Sequence, residues 1–238
     1  PLTATMLGEL AAEIGFPAGV LNIVHGLGSE VGEPLVLHPQ VRAVSFTGST
    51  AVGKRIATLT APLLKKVSLE LGGKNPTLVF ADSDWRQQLD TLVRSAFQNS
   101  GQICLCGSRM LVERAIYDEF RDALVDAASA LPIGDPLDPA TQVGAIITPQ
   151  HLEKIENYVS AASEAGVTVT HGGGTLDLGM GQYMAPTILS GVTRDMAVAR
   201  EEVFGPVLLV LRYRRAGLNA LIDQINATGY GLTAGCLF

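Results

Sequence analysis

Short β-branched runs alternate with Ala- and Leu-rich helical stretches along the first third of this chain, and few architectures accommodate that rhythm. Ala4–Ile14 carries an apolar stripe at helical spacing and is stopped by Gly15 and Pro17. Val20–Val24 reads as a short buried strand ended by His25-Gly26, Glu30–Leu37 as a short helix, and Arg42–Thr47 as a second strand. Thr50–Thr60 is again helical, and Lys66–Leu71 is a strand. Parallel strands need a crossover between them, so strict alternation over short loops predicts parallel βαβ units. Gly72-Gly73 interrupts the rhythm and marks the expected boundary between residues 1–72 and residues 73–238. Beyond it the pattern predicts a strand at Thr77–Phe80, a helix from an Asp84 cap to Asn99, a strand at Arg109–Glu113 and a helix at Ile116–Leu131. A loop at Pro132–Pro139, a helix from Pro149 to Ala165 and a flexible stretch from Gly172 to Gln182 follow. Val207–Tyr213 reads as a strand, Ala216–Thr228 as a helix and Leu232–Phe238 as a final strand. The expected class is α/β, in two parts.

Composition narrows the functions open to such a fold. Hydrophobic residues make up 47% of the 238, which excludes disorder and supplies a sizeable core. Lys and Arg number 17 against 23 Asp and Glu, with no basic block, so neither nucleic acid nor an anionic membrane surface is an expected partner. No apolar run reaches the roughly 18 residues of a spanning helix; Val207–Leu211 is cut off by Arg212. Three cysteines do not make a disulfide framework, and Cys104 and Cys106 stand too close to pair without strain. Free thiols suit a cytoplasmic protein. The chain opens at Pro1 without Met and stops at Phe238 inside an apolar run, which leads us to expect an internal piece of a longer protein.

Four segments carry residues suited to chemistry. Phe46-Thr47-Gly48-Ser49-Thr50-Ala51-Val52-Gly53-Lys54 places a Gly-rich turn between a strand and a helix start, where free N–H groups and the helix dipole favour a phosphate. It nearly matches a P-loop, but Arg55 stands where a magnesium-binding hydroxyl is required. It also fails the G-x-G-x-x-G dinucleotide pattern, as does Gly26-Leu27-Gly28, whose third glycine, Gly32, comes one position late. A helix cap with glycines for tight packing explains it equally well. In Ser68-Leu69-Glu70-Leu71-Gly72-Gly73-Lys74, a carboxylate between two leucines on a buried strand needs a partner, a raised pKa or a role as a base. A salt bridge to Lys66 or Lys74 is the plainer account. In Asn99-Ser100-Gly101-Gln102-Ile103-Cys104-Leu105-Cys106, a cysteine follows a long helix in a polar turn, the setting of a reactive thiol. Most cysteines are instead inert small hydrophobes. Cys-x-Cys is a poor zinc spacing and the four histidines are scattered, so no metal site is expected. Finally, Arg200-Glu201-Glu202-Val203-Phe204-Gly205-Pro206 forms a rigid turn before an apolar run, and read alone it is a surface loop with a Phe anchor.

Together these segments resemble the aldehyde dehydrogenase superfamily. FTGSTAVGK is similar to its cofactor-binding turn, LELGGKNP to its catalytic-glutamate segment, NSGQICLCGSR to its nucleophile segment and EEVFGPV to its nicotinamide-ribose segment. They occur in the family's order, with 33 residues between Glu70 and Cys104. GFPAGVLNIVHG, YDEF, GAIIT, HGGG, APTIL and YGLTAG extend the resemblance over almost the whole chain. Within the superfamily, ICLC after Gln102 and the HLEKIENYV stretch resemble the 2-aminomuconate and 2-hydroxymuconate semialdehyde dehydrogenases.

The resemblance implies the end of a Rossmann-like cofactor domain followed by most of an α/β catalytic domain. It implies Cys104 as nucleophile and Glu70 as general base, with Gly48, Ser49, Gly53 and Leu71 beside the dinucleotide. Glu202 would hold the nicotinamide ribose and Phe204 would back the nicotinamide. The cofactor would be NAD or NADP, with NAD favoured, the substrate a small aldehyde, and the parent protein a homodimer or homotetramer. The chemistry is an NAD(P)-dependent oxidation of an aldehyde to a carboxylic acid through a cysteine thiohemiacetal and a thioester. Burial between Leu69 and Leu71 is expected to raise Glu70 toward neutrality, as a useful base requires. Family members are roughly twice as long. An oxyanion-hole Asn and adenosine-ribose contacts fall before Pro1, so the piece alone is expected to be inactive. The competing reading is a non-catalytic α/β piece with vestigial sites.

Overall fold

Two parallel strands joined through a helix form the sheet of the first unit in a computed structural model that describes residues 1–238. The chain divides into Pro1–Leu71 and Gly72–Phe238. The first unit runs from helix α1 (Leu2–Glu13) through a π-helical turn at Gly28–Gly32 into helix α2 (Glu33–Leu37). Strand β1 (Ala43–Thr47), helix α3 (Thr50–Thr60) and strand β2 (Lys66–Glu70) complete it. β1 and β2 pair in parallel, Ala43 opposite Lys66 and Thr47 opposite Glu70, so the expected βαβ crossover forms. Ser49 caps α3 by accepting a hydrogen bond from the Val52 N–H. The strand expected at Val20–Val24 is absent. Val20 and Val24 are exposed and no chain lies alongside to share ladder hydrogen bonds; Asn22 instead donates to the Gly19 carbonyl within a turn.

The second unit is built on strands β3 (Pro76–Val79), β4 (Arg109–Glu113), β5 (Thr168–His171), β6 (Thr175–Leu176), β7 (Tyr183–Met184), β8 (Thr187–Ser190), β9 (Val207–Tyr213) and β10 (Gly235–Leu237). Six of them form one sheet in the order β10-β3-β4-β9-β8-β5, while β6 and β7 make a small hairpin. All neighbours in the large sheet are parallel except β5, which runs antiparallel to β8 at the edge. The sheet is therefore mixed, and the stretch expected to be flexible, Gly172–Gln182, includes half of the hairpin.

Helices α4 (Leu89–Phe97) and α5 (Tyr117–Ser129) cover one face, and α6 (Pro149–Glu164) and the short α7 (Ala197–Arg200) cover the other. The period of two sorts the core. Leu208 and Val210 of β9 join Met110 and Val112 of β4 under α4 and α5, while Val207 and Leu209 pack beneath α6. Helix α8 (Leu218–Asn226) sets Leu221 against Leu111 and Tyr213. α4 starts at Leu89, not at Asp84. Trp85 is buried with its ring 5.1 Å from Phe120, and that anchor holds residues 84–88 in turns off the helix axis. No helix is long and apolar enough to cross a membrane.

Candidate active site

Three loops meet at the amino-terminal ends of three adjacent parallel strands. Gly73–Asn75 leads into β3, Asn99–Ser108 into β4, and Glu202–Pro206 into β9. They enclose a slot of about 20 Å³ whose lining includes Gly73, Cys104, Cys106, Glu202 and Phe204. That volume is the room of one water-sized group, too small for a whole substrate. A larger cavity of about 640 Å³ opens between α8 and the sheet, and Cys104 does not line it.

The loop that carries Cys104 begins where α4 ends. Asn99, Ser100 and Gly101 take consecutive left-handed conformations (φ 51°, 56° and 67°), which stop the helix and reverse the chain. At Gly101 a side chain is doubly excluded, since a Cβ would collide with the Gly205 carbonyl of the neighbouring loop. The Ser100 hydroxyl donates to the Gly144 carbonyl at 2.7 Å, and the Gln102 side-chain oxygen accepts from the Ile147 N–H at 3.0 Å. Cys104 is half-buried and its own N–H donates to no group in the chain. Cys106 is buried, and burial pushes its thiol up to about 11, which leaves it protonated and inert at neutral pH.

The Glu202 carboxylate reaches across to the loop opening β3. Its Oε1 accepts the Gly73 N–H at 2.9 Å, and Oε2 has no partner. The carboxylate occupies the space a Cβ on Gly72 would fill, so this glycine makes room for the anion. Phe204 follows with φ 59°, a strained conformation for an aromatic residue.

The first unit holds the remaining expected site residues. Gly48 donates its N–H to the Glu70 carbonyl at 3.0 Å, which continues the β1–β2 ladder into the turn, and the Ser49 oxygen is engaged as the α3 cap. Gly53 packs against the Leu71 side chain with no space for a Cβ between them. Arg55, where the P-loop reading fails, is paired with Glu33 at 3.0 Å. Glu70 departs from expectation. It lies at the end of a two-stranded sheet with its side chain exposed, and it makes no ion pair with Lys66. At the end of a strand with a single neighbour, the carboxylate stays in solvent.

Two residues of the LGGKNP segment matter in ways the sequence did not disclose. Asn75 is buried, and its amide donates to the Cys104 carbonyl at 2.7 Å and the Cys106 carbonyl at 2.9 Å while its oxygen accepts the Thr233 N–H. One amide thus fixes two carbonyls of the Cys104–Cys106 turn. Lys74 is buried without a hydrogen-bond partner for its Nζ. Burial, and then the Arg109 charge, push its ammonium down to about 7.

The Aldehyde dehydrogenase family model matches residues 1–237, and the chain belongs to that family. It is 45% identical to a 2-aminomuconic semialdehyde dehydrogenase of Danio rerio, an alignment that takes in 98% of this chain and 49% of that protein. It is 46% identical to the 5-carboxymethyl-2-hydroxymuconate semialdehyde dehydrogenase of Escherichia coli, over 98% of this chain and 50% of that one. The α/β fold is that of solved aldehyde dehydrogenases. A betaine aldehyde dehydrogenase from Staphylococcus aureus, solved in complex with NAD+, superposes with a TM-score of 0.92 at 36% identity, covering 99% of this chain and 47% of that one. The chain therefore spans about half the length of the relatives it matches.

Proposed function

We propose that the whole protein oxidises an aldehyde to its carboxylic acid with NAD(P) as electron acceptor, NAD being favoured, and that Cys104 is the nucleophile, Glu70 the general base. The observation that carries this reading is the slot in which Cys104 meets the half-free Glu202 carboxylate and the Phe204 turn. Identity with muconate semialdehyde dehydrogenases supports a semialdehyde as the substrate. The residues fit a dinucleotide. Glu202 keeps one carboxylate oxygen for ribose hydroxyls, Phe204 offers a ring beside it, and the Gly48–Ser49 turn at the start of α3, with Gly53 and Leu71, suits the phosphates.

The Cys104 sulfur forms a C–S bond to the aldehyde carbon, and the carbonyl electrons move onto oxygen. The unpartnered Cys104 N–H faces no competing acceptor and is available to that oxyanion. A bound nicotinamide would supply the acceptor for the aldehyde hydrogen and its electron pair. The carbonyl then re-forms as a thioester on Cys104. Glu70 removes a proton from a water that attacks this carbon, the C–S bond breaks, and the acid leaves with the thiolate restored. Asn75 keeps the Cys104 backbone still through both steps.

Iodoacetamide labelling of the whole protein, followed by peptide mapping, is expected to modify Cys104 before Cys106, and Cys104→Ala is expected to abolish aldehyde oxidation. Glu70→Gln is expected to give a burst of NADH followed by slow turnover, because acylation proceeds and hydrolysis stalls. Activity that survives Cys104→Ala overturns the nucleophile assignment. A steady-state rate unchanged in Glu70→Gln overturns the base.

A further inference from the structure

We propose that His151 is a positioning residue for the dinucleotide side of this site, an inference that rests on the function proposed above. Its Nε2 donates to the Phe204 carbonyl at 2.6 Å, and its ring meets the Phe204 ring edge-on with centroids 6.0 Å apart. The accepting atom is a carbonyl, so the proton sits on Nε2. The residue so held has φ 59°, a conformation that persists in a non-glycine residue only where its surroundings impose it. Glu202, whose carboxylate accepts the Gly73 N–H, lies two residues upstream on the same turn.

The place of His151 in the chain makes the contact more than local. It stands in the first turn of α6, where its own N–H donates to the Thr148 hydroxyl at 3.1 Å. Just before that cap, the Ile147 N–H and the Gly144 carbonyl hold Gln102 and Ser100 of the nucleophile loop. Residues 144–151 therefore grip the nucleophile loop with one end and the Phe204 turn with the other. The two gripped loops also touch, because the Gly205 carbonyl fills the space above Gly101. Ile155, one turn further along α6, fills the space beside Gly205. Removing the His151 donor frees the Phe204 carbonyl, relaxes its left-handed φ and lets Glu202 drift from the place where ribose hydroxyls would meet it.

The test uses three variants of the whole protein: His151→Phe, which keeps a ring and loses the donor; His151→Asn, whose amide is too short to reach; and His151→Gln, whose amide reaches. NADH fluorescence titration is expected to show binding about tenfold weaker in the Phe and Asn variants, the scale of one lost hydrogen bond, and within threefold of the parent in Gln. The KM for NAD+ is expected to rise with it while the KM for aldehyde stays put. Hydrogen exchange in peptides spanning residues 202–207 is expected to quicken in Phe and Asn and not in Gln, a readout independent of turnover. If the Phe variant fails to fold, the Asn and Gln pair decides the matter. NADH affinity within twofold of the parent in both Phe and Asn, or a Gln variant as impaired as Asn, overturns the proposal while the parent's own NADH binding leaves the function standing. A parent protein that binds no NADH overturns both.

Discussion

At Lys74 burial and charge act in the same unfavourable direction, since the ammonium lies inside the protein beside Arg109 and finds no acceptor, and Glu202 and Glu201 offset only part of the cost. Its pKa falls from 10.5 to about 7, so between those values the unfolded chain binds more protons than the folded one. Stability therefore drops as pH falls from 10.5 towards 7 and is flat with respect to this group below that. Lys74→Met, which keeps the length and removes the charge, is expected to raise stability at pH 7.5 by on the order of a few kcal/mol and to flatten that slope. Urea unfolding at pH 7.5 and 9.5 measures both, and a slope unchanged in the variant would assign it to other groups. Cys104 and Glu70, the residues proposed to react, stood out in sequence because they sit inside short, distinctive segments. Asn75 and His151 did not, because each acts on a backbone carbonyl, 29 and 53 residues away respectively, and a carbonyl leaves no mark on the sequence. The burial assigned to Glu70 failed for a related reason: two flanking leucines say nothing about what layer covers a strand.

Among the elements, α6 bears directly on the site, because its first turn presents His151 and its second presents Ile155. The Thr148 hydroxyl accepts the His151 N–H and satisfies one of the free donors at the helix start. Thr148→Ala is expected to cost about 1 kcal/mol in chemical denaturation. The same variant should quicken exchange in peptides covering residues 149–153, and a loss below a few tenths of a kcal/mol would mean that water replaces the cap. α3 and β9 lie where periodicity put them, since each has clear end signals: a serine cap for the one, Gly-Pro before and arginines after for the other. Val20–Val24 shows the limit of that logic. A β-branched run states a preference, and only a neighbour with free ladder groups turns it into a strand. β5 and β8 escaped for the opposite reason. The sequence reading marked no strand at either, yet each finds a neighbour in the sheet.

On the scale of the whole molecule, the site proposed in the second unit lies at the end opposite to the usual one in open α/β sheets, which bind ligands beyond the carboxyl ends of their strands. Here the loops that gather around Cys104 open β3, β4 and β9, with Pro76 opposite Arg109 and Arg109 opposite Leu209 in the ladder. Alternation in the first third of the sequence announced parallel βαβ units and left open at which end of the second unit's sheet the Cys104 loops would gather, because that depends on the order of strands across the sheet. Leu208→Ala, which empties a fully buried position on β9, is expected to cost about 2–5 kcal/mol. Turnover per titratable Cys104 thiol is nevertheless expected to stay within threefold of the parent, and a proportionate fall in that number would show that the site deforms with the core.

That expectation follows from how the site is dimensioned. Hydrogen-bonded strands sit roughly 4.8 Å apart and shift along one another only by whole residues. The three loops rooted on β3, β4 and β9 therefore inherit a spacing that is quantised, one strand-width at a time, and a loosened core has no continuous path by which to stretch it. Sequence drift in the layers above and below the sheet thins the population of folded molecules and leaves the survivors with the same spacing of these three loops.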